Sequence, residues 1–377
     1  MHHPTSPAPA GERLRQSLGA LVDGLPPRRA AAAVDRLIAH YRGTSTDAGV
    51  ITGTAPILRD RADVVAYAAY RMPATFAAAA AALGALATRL PGWSPAVHLD
   101  VGGGTGTAVW AAEAVWGDGP GGATRATTVL DRSEPALALG GELAAASGGP
   151  ALRAAAWRCA RLTGGHGAGA SGGAGDVRTS GHGGATGDGP APALPPADLV
   201  TASYLLGELP ADDRRALVTA TARAGDAVVL IEPGTPDGYL RIREARDQLT
   251  EAGLTVLAPC PHSARCPIVP GEDWCHVAAR VARSSVHRQV KGGSLPYEDE
   301  KFSYVAAVAP ALTADGAPAP SRVVRKPQLR KGQVLLDLCT REDGLRRTTV
   351  SKRQGPRYRA ARDTSWGDAW PPEGEGA

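Results

Sequence analysis

Three of the five cysteines in this 377-residue chain fall close together, at Cys260, Cys266 and Cys275. The segment reads Cys260-Pro-His-Ser-Ala-Arg-Cys266 and then Asp273-Trp274-Cys275-His276, with Cys339 the next thiol along the chain. Thiolates are soft metal ligands, so their gathering in a Cys-poor chain points to a metal centre. The gaps between them are wide for zinc ribbons and knuckles, which set paired cysteines two to four residues apart. Four thiolates at irregular spacing suit a 4Fe-4S cluster with Cys339 as the distant fourth ligand, and zinc is the alternative. His262 and His276 are alternative ligands. A set of buried free thiols is the reading without chemistry. Cys159, in an Ala-rich run, is expected to be a core thiol instead of a ligand.

A second group of residues could hold a small molecule. Asp100-Val-Gly102-Gly-Gly104-Thr-Gly106 follows a short apolar run and precedes a helical one. A dinucleotide fingerprint would require glycine at position 107, which is Thr107. The spacing instead resembles the S-adenosylmethionine loop of class I methyltransferases, where Asp100, Gly102, Gly104 and Gly106 would border the cofactor. Asp131, ending the next strand, suits a ribose diol because a carboxylate accepts two hydrogen bonds. Asp100 also disfavours a phosphate ligand by charge. No catalytic residue is identified. Where amino-methylating enzymes often carry an Asp/Asn-Pro-Pro-aromatic tetrapeptide, this chain reads Ala202-Ser-Tyr-Leu205.

The elements that must position these residues are legible from periodicity. Residues 1–11 read as a disordered tail, and residues 12–90 as a helical region, with Pro73 ending one helix or starting another. Residues 91–256 alternate strand and helix, which gives an α/β fold with a parallel sheet. Strands are expected at 96–101, 126–130, 198–203 and 227–231, and helices at 107–116, 135–146, 212–224 and 239–252. Residues 164–192, almost all Gly, Ala, Ser, Thr, His and Asp, read as a flexible insertion, and His166 and His182 within it lack the preorganisation of metal ligands. Residues 257–377 read as a β-rich extension carrying the cysteines and many basic residues.

Composition bounds the function. The chain is 43% hydrophobic and 5% aromatic, with a net charge of +4. It is therefore globular, with a core rich in Ala, Leu and Val. The first residues do not form a secretory signal, and apolar runs stop short of a membrane span. An odd cysteine count argues against a disulfide framework, so a reducing cytoplasmic location is expected.

Taken together, these motifs resemble the methyltransferase-like family of small-ribosomal-subunit assembly proteins, known from mitochondria and with bacterial relatives. The resemblance rests on Arg71-Met-Pro-Ala-Thr75, Leu99–Gly106, Cys260-Pro-His, Cys266-Pro, Trp274-Cys-His276, His287-Arg288 with Lys291-Gly-Gly, and the run from Leu295 to Tyr304. It continues in Pro327–Gly332, Leu336–Cys339 and Val350–Gly355. It implies a class I methyltransferase-like (Rossmann-like) domain with a C-terminal extension. It also implies cluster ligands at Cys260, Cys266, Cys275 and Cys339, and association with small-subunit ribosomal RNA. The alternative function is an active S-adenosylmethionine-dependent RNA methyltransferase.

The charge pattern points to an RNA partner independently. Arg288, Lys291, Lys326, Arg330, Lys331, Lys352 and Arg353 stand among many Arg and Lys in the last third, the footprint of phosphate binding. Tyr297, Tyr304 and Tyr358 offer rings for unpaired bases. A solvated basic face is the bland alternative.

Overall fold

The computed structural model describes residues 9–26, 61–160, 193–283 and 295–372, with a few isolated positions between 28 and 35. The insertion expected at 164–192, most of the helix expected after Pro26, and the loop carrying His287, Arg288 and Lys291 lie outside the described residues.

Two helices, α1 (Ala10–Asp23) and α2 (Arg61–Arg89), precede the first strand. The α/β alternation then begins with β1 (Val97–Val101), α3 (Thr107–Trp116), β2 (Ala126–Asp131), α4 (Glu134–Ser147), the one-turn α5 (Pro150–Arg153) and β3 (Ala156–Cys159). It resumes with β4 (Ala197–Ser203), α6 (Ala211–Ala224), β5 (Gly225–Pro233), α7 (Pro236–Glu251) and β6 (Thr255–Ala258). Local chemistry starts the helices where they start. Ser133 and Thr235 cap α4 and α7 by accepting from the amides of Ala136 and Gly238, and a proline sits in the first turn of each.

α2 runs through Pro73, contrary to the expected break there. A helix-interior proline costs about 3 kcal/mol. Burial on both flanks outweighs it: Met72 and Ala74 are 1% and 0% exposed, and the helix packs on α1, α3 and the sheet.

Two further strands, β7 (Val277–Ala282) and β8 (Tyr297–Val308), join the same sheet. Its order is β3-β2-β1-β4-β5-β8-β6, with β7 also paired to β8. β1 to β5 run parallel, whereas β8 is antiparallel to both β5 and β6. This order, with one antiparallel strand wedged before the last, is the class I methyltransferase-like fold. The boundary expected at residue 257 does not follow the sheet, because β8 lies beyond it in sequence yet pairs within the sheet. Sequence alternation reveals a strand but not its partners.

Both faces of the sheet are buried, as a parallel sheet requires. Val229 and Ile231 of β5 pack under α2 and α3, with Leu83, Leu86 and Ala111. Val228 and Leu230, pointing the other way, pack under α6 and α7 with Leu217, Ile242 and Leu249. A third cluster joins α1 to α4 around the fully buried Trp110.

The chain ends in a smaller antiparallel sheet of β9 (Ser321–Val323), β10 (Gln328–Arg330), β11 (Gln333–Thr340), β12 (Gly344–Ser351) and β13 (Ala369–Trp370). β11 is its centre, and α8 (Pro356–Asp363) covers it over a core of Val334, Leu336, Leu338, Val350, Ala361 and Trp370. Among the described residues no helix is long and apolar enough to cross a membrane.

The packing around Trp157 makes one glycine irreplaceable. A Cβ on Gly140 in α4 would overlap the Trp157 ring and lie 3.0 Å from the Thr105 carbonyl carbon. Gly140→Ala is expected to destabilise the protein in urea melts, since overpacking of about 1–3 kcal/mol exceeds the roughly 1 kcal/mol of helix propensity gained. Gly84→Ala in α2, where nothing lies within 4 Å of the new carbon, should instead stabilise by about 0.5–1 kcal/mol.

Candidate functional site

The sheet order reverses between β1 and β4, and the crevice at the carboxyl ends of those strands is where open α/β sheets bind ligands. The glycine loop fills that place. Gly102, Gly104 and Gly106 have φ of +66°, +52° and +81°, conformations that exclude most side chains. The loop is tied down by the amides of Gly102 and Gly103, which donate to the Leu130 carbonyl at 2.7 and 3.1 Å.

Much of the space the glycines leave is used by the protein itself. A Cβ on Gly102 would lie 2.6 Å from Leu205 Cδ2, and one on Gly106 would overlap Trp157. At Gly104 the nearest atom is Asp131 Oδ2, at 3.7 Å. Asp131 accepts from the Gly104 amide through Oδ2 and from the Ser133 amide through Oδ1, each at 2.8 Å. Each oxygen keeps a lone pair for a further donor.

Asp100 is 1% exposed. Its Oδ1 accepts from Thr201 Oγ1 at 2.7 Å, and Thr201 Oγ1 in turn lies 2.8 Å from His98 Nε2. Asp100 Oδ2 has no partner among the described residues. Burial, with Asp131 nearby as a smaller cause, pushes the Asp100 carboxyl up to about 7. Burial and the Arg125 charge push His98 down to about 3, so its ring is neutral. An unsatisfied buried carboxylate oxygen favours a cationic or hydrogen-bond-donating ligand. Thr201 carries no signal in the sequence, because its role depends on β1 and β4 lying side by side with Asp100 opposite it.

The turn after β4 is built by β5 and β8. Tyr204 has φ +59°, and its hydroxyl donates to Glu300 Oε1 at 3.1 Å. Arg71 lies 3.3 Å from the same oxygen and 5.6 Å from the Tyr204 ring centre. The structure thus joins the Arg71–Thr75 motif to the Leu295–Tyr304 motif at the mouth of the crevice. Below them Glu232 accepts from the Leu206 amide at 2.9 Å and pairs with Arg241 at 2.7 Å. That grip holds Leu205 over Gly102.

The four expected ligand thiols come together. Cys260, Cys266, Cys275 and Cys339 all line one cavity of about 50 Å³, with Tyr239, Arg246, His276 and Arg322 also in its walls. Cys260 follows β6, Cys275 precedes β7, and Cys339 is brought in by β11 of the second sheet. All five cysteines are unbonded. Cys159 is exposed at the end of β3, contrary to its expected place in a core. β3 is the edge strand of the sheet, and its last two residues, Arg158 and Cys159, are both exposed.

The cavity is electrostatically biased. Burial and the neighbouring thiols push Cys275 far up and Cys339 up to about 12. Burial also raises Cys260, with Arg246 opposing. Arg246 and Arg322, 3% and 7% exposed, supply buried positive charge. Arg246 of α7 donates to the carbonyls of His262 and Ala264, tying the cysteine loop to that helix, and Arg322 of β9 donates to Pro259 and Gly367, tying it to the second sheet. Tyr239 Oη lies 3.4 Å from Cys266 Sγ, and His262 Nε2 lies 3.8 Å from Cys339 Sγ. Among the described residues, no three Cys, His, Asp or Glu side chains are close enough to hold one metal ion.

The basic residues divide in two. Arg280, Arg283, Arg325, Arg346 and Arg347 are consumed in ion pairs with Asp299, Glu298, Asp273, Asp343 and Asp337. Lys326, Arg330, Lys331, Lys352 and Arg353 are exposed. Four of these gather at one end of the second sheet: Arg330 and Lys331 lie at the β10–β11 turn, and the Lys352 amide donates to the Gly332 carbonyl in that turn at 2.9 Å. Tyr304, offered above as a stacking ring, is buried beside the thiols. Arg288 and Lys291 lie outside the described residues.

The buried carboxyl gives a pH test. Asp100 is held above its unfolded value, so the native state binds the proton more tightly and stability falls as pH rises from about 4 towards about 7. Asp100→Asn should remove up to roughly 1.4 kcal/mol of that loss per pH unit. Urea melts across the range measure the slope, and an unchanged slope refutes the assignment.

With this geometry in view, known proteins can be compared. The chain is 27% identical over 327 residues to the human mitochondrial ribosome assembly protein METTL17, covering 81% of this chain and 62% of that protein. It is 27% identical over 223 residues to Rsm22-cox11 tandem protein 2, mitochondrial, of Schizosaccharomyces pombe, covering 47% of this chain and 29% of that one. The chain thus spans less than two thirds of either relative. A putative RNA methyltransferase from Pyrococcus horikoshii aligns over 64% of this chain and 84% of its own, at 13% identity and TM-score 0.35. Magnesium protoporphyrin IX methyltransferase from Synechocystis, solved with bound SAH, aligns over 73% and 93%, at 14% identity and TM-score 0.34. At such scores these two superpositions add nothing to what the strand order carries. The profile of the family described as mitochondrial small ribosomal subunit Rsm22 matches residues 61–371, which is most of the chain, and the protein belongs to that family.

Proposed function

We propose that this protein is a small-ribosomal-subunit assembly factor that binds small-subunit ribosomal RNA through the basic end of its second sheet. In this reading a 4Fe-4S cluster staples that sheet to the methyltransferase-like domain, and S-adenosylmethionine occupies the glycine-loop crevice. The observation that carries it is the meeting of Cys339, from the second sheet, with Cys260, Cys266 and Cys275 around one cavity.

The donor set fits such a group. Four thiols lining one cavity suit a polynuclear centre, with zinc the alternative. Four thiolates around such a centre carry net negative charge, which Arg246 and Arg322 offset. When bound, the cluster supplies a cross-link between the two sheets, and its binding free energy becomes folding free energy for the extension. Thiolate ligands of this kind suit a reducing compartment such as the cytoplasm.

The crevice suits S-adenosylmethionine by its charge. Asp100 Oδ2 awaits a donor, and a ligand ammonium or sulfonium would draw the proton from that carboxyl. Asp131 retains lone pairs for a ribose diol. The residues that face the crevice mouth are engaged with one another, so the reading assigns the site to binding and names no methyl acceptor.

Two experiments test the proposal. RNA affinity measured against salt should fall steeply, and Lys352→Ala with Arg353→Ala should reduce the log–log slope by about two. A salt-independent interaction returns the basic end to a solvated surface. Separately, Cys339→Ser should abolish iron binding and visible absorbance in anaerobically purified protein and destabilise the second sheet, whereas Cys159→Ser should change neither. Colourless wild-type protein carrying stoichiometric zinc would overturn the cluster.

A further inference from the structure

One side chain in the thiol cavity has no role in the account so far. His276 is 6% exposed, and neither Nδ1 nor Nε2 has a hydrogen-bond partner among the described residues. An unpartnered buried donor is costly, so native structures rarely keep one without a reason. Two indoles pack against the ring, Trp366 at a tilt of 52°. Trp274 stacks at 5.7 Å with an interplanar angle of 20°, and Trp366 lies at 4.3 Å. His276 lines the cavity together with the four cysteines.

Other donors already address those sulfurs. Tyr239 Oη is 3.4 Å from Cys266, and Arg246 lies beside Cys260. His276, like the Arg246 Nε, is a donor on the same wall that lacks an acceptor among the described residues. Whatever its protonation state, an imidazole carries at least one N–H. A cubane has one outer position on each iron, and the four thiols supply all four. His276 is therefore surplus as a ligand but suited to donate to sulfur.

We propose that His276 is a positioning residue that donates an N–H hydrogen bond to the sulfur framework of the group held by Cys260, Cys266, Cys275 and Cys339. This inference rests on the cluster reading above. Hydrogen bonds to cluster sulfurs stabilise the more negative, reduced state and so raise the reduction potential. Trp274 and Trp366 pack against the ring and restrict its rotation.

The test compares wild type, His276→Phe and His276→Gln, each purified anaerobically and reconstituted with iron and sulfide. Phenylalanine keeps the ring stack without the N–H, and glutamine keeps an N–H without the ring. Iron and sulfide content should equal wild type in both variants. The midpoint potential, read by spectroelectrochemical titration, should move to more negative values in His276→Phe and move less in His276→Gln. Full iron with an unchanged potential in His276→Phe shows that the nitrogen is satisfied otherwise, by a cavity water for instance, and overturns the inference. Equal shifts in the two variants assign the effect to the ring and overturn it too. Loss of iron in both makes His276 a ligand, again against the inference. Absence of iron and sulfide from the wild type itself is the distinct result that removes the underlying cluster reading.

Discussion

The backbone pairing of β8 holds this molecule together. Along its length it hydrogen-bonds to β5 on one side and to β6 and β7 on the other. Its residues serve both candidate sites. Glu300 meets Tyr204 and Arg71 at the crevice mouth. Two residues further on, Phe302, Ser303 and Tyr304 wall the thiol cavity, and Ser303 Oγ donates to the Cys275 carbonyl at 2.7 Å. A slip of one residue in this register would turn each of these side chains to the opposite face.

The thiol cavity shows how burial and charge are balanced. Burial disfavours the ionised forms of Cys260, Cys275 and Cys339, and neighbouring thiols add to it. Two buried guanidiniums act against that, and through backbone carbonyls Arg246 ties the cysteine loop to α7 while Arg322 ties it to the second sheet. Arg246 and Arg322 are thus structural and electrostatic at once. Removing either would leave carbonyls unpaired as well as the thiols less ready to ionise.

The glycine loop follows a different logic. Its glycines are required by backbone conformation, and part of the space they leave is filled by Leu205 and Trp157 instead of being left open. Glu232 and Arg241 brace the turn that carries Leu205. The result is a rigid crevice floor with one buried carboxylate oxygen unsatisfied, a preorganised spot for a positive or donating group.

Much of this was legible in the sequence. Strand–helix alternation, the strand before the glycine loop, the loop itself at Gly102, Gly104 and Gly106, and the isolation of four cysteines in a Cys-poor chain all rest on local chemistry that a linear reading captures. Other expectations failed where tertiary packing overrides local preference. α2 continues through Pro73 because buried contacts on both sides outweigh the broken bond, and Cys159 is exposed because its strand lies at the sheet edge. The placement of β8 inside the parallel sheet, the Asp100–Thr201–His98 chain, the joining of Arg71 to Glu300, and the division of the arginines into paired and unpaired sets were decided by tertiary structure alone. Each depends on which strands lie side by side and in what register. That is set by contacts between residues scores of positions apart, whose free energy appears only when the whole core closes.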